Sequence, residues 1–398
     1  MYHREVIADQ PSVQLLDVGV PAMKNRVTRR RVILASLVLV SLLSVIGTLS
    51  AQPVATAPAR VTAAQVIKVE GDVQGTHDPS IIQDGDTWYL FATTTEPHAA
   101  GELPIRCSPD LHEWQRCGYV LPGIPDWIRN ASPKTRNLWA PDISYFDGLF
   151  HLYYAYSAFG VNTSGIALLT NKTLDQKSPQ YHWEDRGLVL ESKATDDYNA
   201  IDPNLVLDAA GQAWLSFGSF WGGIKMRKLD RKTGKLATDD TKLYAVASRA
   251  RPDNPPPAPP GLPANWQAIE APFIVLHSDP HDGAYYYLFV SFDLCCRGTK
   301  STYKTMAGRA RKVTGPYLDK TSKPMSEGGG SPLLAANQCW LGPGGESVLL
   351  GKDRDIIVFH AYDATTGRPS LQISTLTWRD GWPEAALEES AEPGASPH

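Results

Sequence analysis

Five times along the chain, a short apolar run gives way to a turn and then to a second, aromatic-rich run. The first copy joins Ser80-Ile81-Ile82 to Trp88-Tyr89-Leu90-Phe91 across Asp84-Gly85-Asp86. The second joins Asp142-Ile143 to Phe150-His151-Leu152-Tyr153-Tyr154 across Asp147-Gly148, and the third joins Asn204-Leu205-Val206 to Ala213-Trp214-Leu215. In the fourth, Phe273-Ile274-Val275 precedes Tyr285-Tyr286-Tyr287-Leu288-Phe289; the weaker fifth sets Ser347-Val348-Leu349 before Ile356-Ile357-Val358-Phe359. An apolar strand, a tight turn and an aromatic strand are the signature of a β-hairpin. With Ile81, Ile143, Leu205, Ile274 and Val348 taken as equivalent, successive copies are offset by 62, 62, 69 and 74 residues. That spacing leaves room for two further strands per copy, such as residues 165–168 and 224–226. Four-stranded units repeated about an axis make a propeller. The pattern predicts an all-β chain, a five-bladed β-propeller over residues 66–383.

In such a ring the innermost strands all start around one mouth. Asp78, Asp142, Asp202, Glu270 and Glu346 lie within about two residues of those starts, so they are expected to converge there. Carboxylates gathered in a partly enclosed place repel, which raises some pKa values and leaves others low. An Asp-Pro pair is also an ordinary lead-in to a strand. Asp78, Asp202 and Glu270, set among Trp and Tyr, are therefore singled out as the chemical set.

Composition narrows the classes further. The 398 residues include 11 Trp, 16 Tyr, 10 Phe, 32 Gly and 31 Pro, which suits a turn-rich β protein and excludes a long helical bundle. Thirty-eight basic against 42 acidic residues give a net charge of −4, so the basic excess that nucleic acid requires is missing. Arg29-Arg30-Arg31 precede an apolar run over residues 32–49, and Ala51 follows as a small residue for cleavage. These are the parts of a secretory signal. The run is also long enough to span a bilayer if left uncleaved, the one route to a membrane contact. Residues 1–51 read as an extension with this signal or anchor, 52–65 as a linker, and 384–398 as a disordered acidic tail. The expected location is periplasmic or extracellular.

Among five cysteines, Cys107 and Cys117 are ten apart and suit a small bridged loop. Cys295 and Cys296 are adjacent, readable as a vicinal disulfide or as two packed thiols, with Cys339 the one distant partner. An odd count leaves at least one thiol free. No CxxC or clustered His/Cys spacing supports structural zinc, so no metal ligand is assigned.

Five motifs carry a resemblance. They are Thr76-His77-Asp78-Pro79, Asn137-Leu138-Trp139-Ala140-Pro141-Asp142, Asn199-Ala200-Ile201-Asp202-Pro203-Asn204, Ser219-Phe220-Trp221-Gly222-Gly223 and Ile269-Glu270-Ala271-Pro272. In this order they resemble glycoside hydrolase family 43, and within it the endo-acting arabinanases. Cys295-Cys296-Arg297-Gly298, Ser301-Thr302-Tyr303, Leu376-Thr377-Trp378 and Asp380-Gly381-Trp382-Pro383 extend the likeness over nearly all of the mature chain.

The resemblance implies a five-bladed propeller with a cleft across its face. It implies Asp78 as the general base, Glu270 as the general acid, and Asp202 as the carboxylate that orients the acid and tunes its pKa. It also implies inversion of configuration, for which carboxyl groups stand about 6.5–9.5 Å apart. Sugar contacts carry over to Asp78, Gly160, Asn199, Asp202, Ser219, Phe220 and Trp221, an aromatic-and-polar set suited to a furanose ring. Trp139 and Trp221 are equally open to blade-core packing, and the adjacent cysteines fall beside the cleft.

The substrate so implied is α-1,5-linked L-arabinan or its oligosaccharides, cut internally by a monomer that requires no cofactor. An exo-acting arabinanase, an arabinofuranosidase or a β-xylosidase would share the three carboxylates. A non-catalytic glycan-binding propeller would have no need of all three. The Pro-rich stretch 252–263 reads as a solvated insertion, or as a wall that shortens the cleft and favours exo-action. One departure stands out. Family arabinanases commonly carry a His in a Gly-Pro-Gly-His segment over the channel, linked through water to a cation. Here Gly342-Pro343-Gly344-Gly345 puts Gly345 in its place, leaving Glu346 as an oxygen ligand for calcium, or water alone.

Overall fold

The computed structural model describes residues 63–96, 100–249, 266–279 and 282–389. The expected signal or anchor, most of the linker and the Pro-rich stretch 252–263 lie outside the described residues. Among the described residues, no helix is long and apolar enough to cross a membrane.

Five separate sheets are the five blades that the repeat predicts. Blade 1 runs outward through Ser80–Asp84, Thr87–Phe91, Glu102–Ser108 and Glu113–Leu121. Blade 2 comprises Leu138–Phe146, Leu149–Tyr156, Ser164–Asn171 and Glu184–Ser192. Blade 3 comprises Asn204–Leu207, Ala213–Phe217 and Ile224–Asp230, with Tyr244–Ala247 along its outer edge. Blade 4 comprises Ile269–Asp279, Gly283–Phe292, Lys304–Ala310 and Ser331–Leu334. Blade 5 has Trp340–Leu349, Asp355–Asp363 and Pro369–Arg379, and takes its outer strand, Val66–Ile67, from the other end of the chain. Each innermost strand touches the next, and that of blade 5 touches that of blade 1, which closes the ring.

The predicted hairpins form for local reasons. In blade 2, Phe146 faces Leu149 across Asp147 and Gly148, both at positive φ (51° and 78°). A two-residue turn of that kind matches the twist of its flanking strands. Both faces of each blade are covered, so the inner strands read as unbroken apolar runs. Neighbouring residues then serve opposite seams. Ile81 packs with Leu90, Val358 and Ile373 between blades 5 and 1, whereas Ile82 joins Phe91, Leu138 and Ile143 between blades 1 and 2. Leu205 and Val206 divide in the same way between the second and third seams of the ring. Phe289, Val348 and Ile357 belong to the fourth.

Closure depends on a short N-terminal segment. Val66 pairs with Ser374 and Ile67 with Ile373, and the Gln65 N–H donates to Thr375 Oγ1 at 2.8 Å. A few residues on, Glu70–Gly71 runs parallel to Glu113–Trp114 on the outer strand of blade 1. One segment thus ties the last blade to the first.

One expectation needs correction, and one open choice is decided. The disordered tail was placed from residue 384, yet Trp382–Glu384 pairs with Thr377–Arg379, and Ala385 and Leu387 pack on the seam between blades 4 and 5. The Asn337 amide also donates to Glu388 O at 2.7 Å. Apolar docking therefore overrides the acidic composition up to residue 389; residues 390–398 lie outside the described residues. Cys295 and Cys296 are joined as a vicinal disulfide rather than packed as two thiols. Cys107 bridges to Cys117, and Cys339 is free.

Ile67 is buried in the closing seam. Ile67→Ala should destabilise the fold by roughly 2–5 kcal/mol, read as a lowered midpoint in denaturant unfolding with an unchanged slope.

Candidate active site

At the start of each innermost strand, the residue three positions before the aligned apolar one lies in the left-handed region. These are Asp78 (φ 48°), Ala140 (43°), Asp202 (55°), Ala271 (53°) and Gly345 (59°). Such a φ costs a non-glycine residue of order 1–3 kcal/mol, so the surroundings must hold it. In blades 2, 4 and 5 the kink coincides with a register break, between Trp139 and Asp142, Glu270 and Phe273, and Leu341 and Ser347. A β-bulge of this kind re-aims side chains at the end of a strand. At Gly345 a Cβ would lie 2.6 Å from Asp78 Oδ1 and 2.8 Å from His360 Cε1. The ring of His360 takes the room that a side chain at 345 would need.

Asp78, Asp202 and Glu270 line one open cleft of about 980 Å³. Gly160, Asn199, Ser219, Phe220 and Trp221 line it too, together with Trp139, Cys295 and Cys296. Every residue expected to act in catalysis or to contact sugar lines this cleft, and both tryptophans face it. The loop carrying Phe220 and Trp221 holds both at positive φ (54° and 37°). It is fixed by the Phe220 N–H to Ile269 O (2.9 Å), the Gly222 N–H to Asp197 O (2.6 Å), and stacking of Phe220 on Trp266.

Asp142 and Glu346 do not reach the cleft, contrary to expectation. They line a smaller axial cavity of about 30 Å³ at the starts of the five innermost strands, and Asp78 and Asp202 border both spaces. The Asp142 carboxylate accepts the Leu205 N–H (2.7 Å) and Asn204 Nδ2 (3.1 Å), tying blade 2 to blade 3. Burial lifts Asp142 to about 7 against those two bonds. Burial likewise lifts Glu346 to about 7, although Ser291 and Thr305 donate to its Oε2. Its Oε1 has no hydrogen-bond partner. Calcium takes six to eight oxygens. Of the four carboxylates that line this cavity, Asp142 is committed to blade 3, and among the described residues Glu346 keeps one uncommitted oxygen.

Around the three cleft carboxylates the electrostatics divide. Asp78 Oδ2 accepts Thr93 Oγ1–H (2.6 Å) and lies 3.0 Å from His77 Nδ1. Its side chain is 24% exposed, so water reaches it. Burial pushes the carboxyl up, but the charge and hydrogen bond of His77, with help from His360 and Thr93, hold it well below the usual range. Glu270 is 8% exposed; Ser219 Oγ donates to Oε2 at 2.6 Å and the Tyr303 hydroxyl donates to Oε1. Burial raises Glu270, the two hydroxyls oppose this, and the Asp78 charge adds to the rise. Asp202 is raised by burial and then by the charges of Glu270 and Asp78. Its Oδ2 accepts the N–H of Ala271, the residue after Glu270, at 3.1 Å, which ties it to the backbone that carries the acid. One carboxylate stays ionised beside two pushed towards protonation, the division that acid/base chemistry needs.

His77, Thr93 and Tyr303 hydrogen-bond to this set and Tyr362 to His77, without having been assigned roles from sequence. His77 and Tyr303 lie inside quoted motifs, so a signal was present. Thr93 and Tyr362 lie just after or at the ends of second strands in blades 1 and 5, and nothing in the local sequence marks them.

Comparison with known proteins follows the same lines. The family model for Glycosyl hydrolases family 43 matches residues 73–383. An extracellular exo-alpha-(1->5)-L-arabinofuranosidase of Cellvibrio japonicus is 42% identical over 317 residues, covering 79% of this chain and 87% of its own. An extracellular endo-alpha-(1->5)-L-arabinanase of Bacillus subtilis is 42% identical over 310 residues, covering 77% and 86%. The structure of Cellvibrio cellulosa alpha-L-arabinanase complexed with arabinohexaose superimposes with a TM-score of 0.71 at 41% identity, over 79% of this chain and 96% of that one.

Tyr303 favours the charged form of Glu270. Tyr303→Phe should therefore raise the pKa of Glu270, seen by pH titration of the carboxyl in protein labelled with ¹³C-glutamate.

Proposed function

Because the chain belongs to glycosyl hydrolases family 43, we propose that it is an exported, endo-acting glycosidase that hydrolyses α-1,5-L-arabinofuranosidic bonds in arabinan. The observation that carries this reading is the pairing across one cleft of an ionised, water-accessible Asp78 with a buried Glu270 pushed towards its acid form. Relatives named for both endo- and exo-action on α-(1→5)-L-arabinan support the substrate class. Their printed extracellular location supports export. A periplasmic site of action remains part of the proposal, as does action as a monomer, for which the support is that one chain builds the closed ring and the whole cleft.

In the mechanism we propose, His77 and Thr93 occupy Asp78 Oδ2, which leaves Oδ1 to take a proton from the attacking water. The water oxygen bonds to the anomeric carbon as the glycosidic C–O bond breaks, and Glu270 delivers its proton to the leaving oxygen. Attack opposite the leaving group inverts the configuration. The step ends with Asp78 protonated and Glu270 charged, and exchange with cleft water resets both. Asp202 holds the backbone that carries Glu270 through the Ala271 N–H, and the charge of Asp78 adds to the burial that keeps Glu270 protonated. Phe220 and Trp221 offer flat apolar faces to a furanose ring, with Asn199 and Ser219 beside them. We propose that none of these steps requires a cofactor, since every proton transfer has a donor and an acceptor among these side chains.

Two outcomes test the reading. Glu270→Gln should abolish hydrolysis of linear α-1,5-L-arabinan, by a factor of at least about 10³, while oligosaccharide binding by calorimetry survives. Loss of binding with unchanged turnover would overturn the assignment of Glu270. A chromatographic time course should show a spread of oligosaccharides early; a single small product from the start would mean exo-action. Activity should fall as pH rises through the elevated pKa of Glu270. On the acid side it should persist below the ordinary aspartate range, because Asp78 stays ionised there.

A further inference from the structure

Asp78 is a small group with two equivalent oxygens, and only a definite one can face the attacking water. Both side-chain hydrogen bonds that fix it go to the same atom, Oδ2, from Thr93 and from His77. An ionised carboxylate accepts and cannot donate, so His77 Nδ1 must carry a hydrogen. The other nitrogen, Nε2, lies 2.7 Å from Tyr362 Oη. That hydroxyl is itself held by the Cys296 N–H at 2.8 Å, next to the disulfide with Cys295. On its flat side the His77 ring stacks on His360, with centroids 3.7 Å apart and planes inclined by 26°. His360 is fully buried and its Nδ1 receives the Asp78 N–H at 3.3 Å.

We propose that His77 and Tyr362 form a positioning relay that selects Oδ1 of Asp78 as the basic oxygen, an inference that rests on Asp78 being the base of the reaction. The relay crosses the seam where the ring closes. His77 leads into the innermost strand of blade 1, and Tyr362 lies on the second strand of blade 5, 285 residues away. A seam needs only apolar packing to hold it. A buried tyrosine hydroxyl satisfied on both sides by hydrogen bonds, one to an imidazole that contacts the base, is a costlier arrangement than phenylalanine would be. Its return is orientation. With Nε2 pinned at the ring edge and His360 at the ring face, the imidazole cannot turn, and the Nδ1–H points at one carboxylate oxygen.

The groups facing Asp78 fix what a pH profile reads. They are His77 and Thr93 from blade 1, Glu270 and Tyr303 from blade 4, Glu346, His360 and Tyr362 from blade 5, and Asp202 ahead of blade 3. Of these, His77 is the one whose charge and hydrogen bond together depress Asp78.

The test uses the full chain with linear arabinan as substrate. Tyr362→Phe should lower kcat about ten-fold with KM within two-fold and an unchanged melting temperature. His77→Asn places an amide N–H where Nδ1–H stood and should retain more kcat than His77→Gln, whose longer side chain cannot. Adding Tyr362→Phe to His77→Asn should change kcat less than two-fold, because the relay is already cut. In His77→Gln the acid limb of the kcat profile should move to higher pH, as Asp78 loses the partner that keeps it ionised. An unchanged kcat in Tyr362→Phe, a loss confined to KM, or a full ten-fold further loss in the double variant would overturn the relay. Asp78→Asn separates the two ideas: retained activity there would overturn the base assignment itself.

Discussion

The site depends on a backbone kink made five times. In every blade the residue three positions before the aligned apolar one is held at positive φ, and the kinks lie around the channel mouth. Two of those residues are reacting-site carboxylates, Asp78 and Asp202, and a third, Ala271, directly follows Glu270. The strain is the means by which a strand committed to a seam core also presents a polar side chain to the cleft. Packing at the seams supplies the rigidity that keeps these kinks from relaxing.

From that placement the charge pattern follows. Glu270 and Asp202 are buried near Asp78, so each suffers desolvation and the repulsion of a neighbour that stays ionised. Asp78 escapes because His77 and Thr93 compensate it and part of it meets water. Asp142 and Glu346 show the contrast. They follow the kink in their strands, whereas Asp78 and Asp202 are the kinked residues and Glu270 precedes one, and they line the axial cavity, where Asp142 ties two blades together.

Much of this was legible in the sequence, for a physical reason. Apolar runs such as Ile81-Ile82 and Leu205-Val206 repeat because each blade must feed two seams, and the Asp/Gly turns between strands carry their own conformational signal. The cleft carboxylates were readable because they lie three or four residues before those runs. What escaped is what depends on distant contact. Tyr362 meets His77 only through the closed ring, Val66–Ile67 is too short to announce itself as a strand, and Ala385 and Leu387 dock despite an acidic setting. The register breaks in blades 2, 4 and 5 were hidden as well, because they have no compositional mark.

The borrowed outer strand of blade 5 also sets an order of events. Blades 1 to 4 draw their main four strands from contiguous stretches and can form as the chain emerges, whereas Val66–Ile67 must wait for Ile373 and Ser374, made some three hundred residues later. Until then blade 5 has an open edge, and the seam between blades 5 and 1 has one wall. Asp78 stands on one side of that gap, and Tyr362 and His360 on the other. A nascent or nicked chain with four finished blades would hold Glu270, Ser219 and Asp202 in place yet lack a fixed base, so ring closure and the acquisition of catalytic competence are one event.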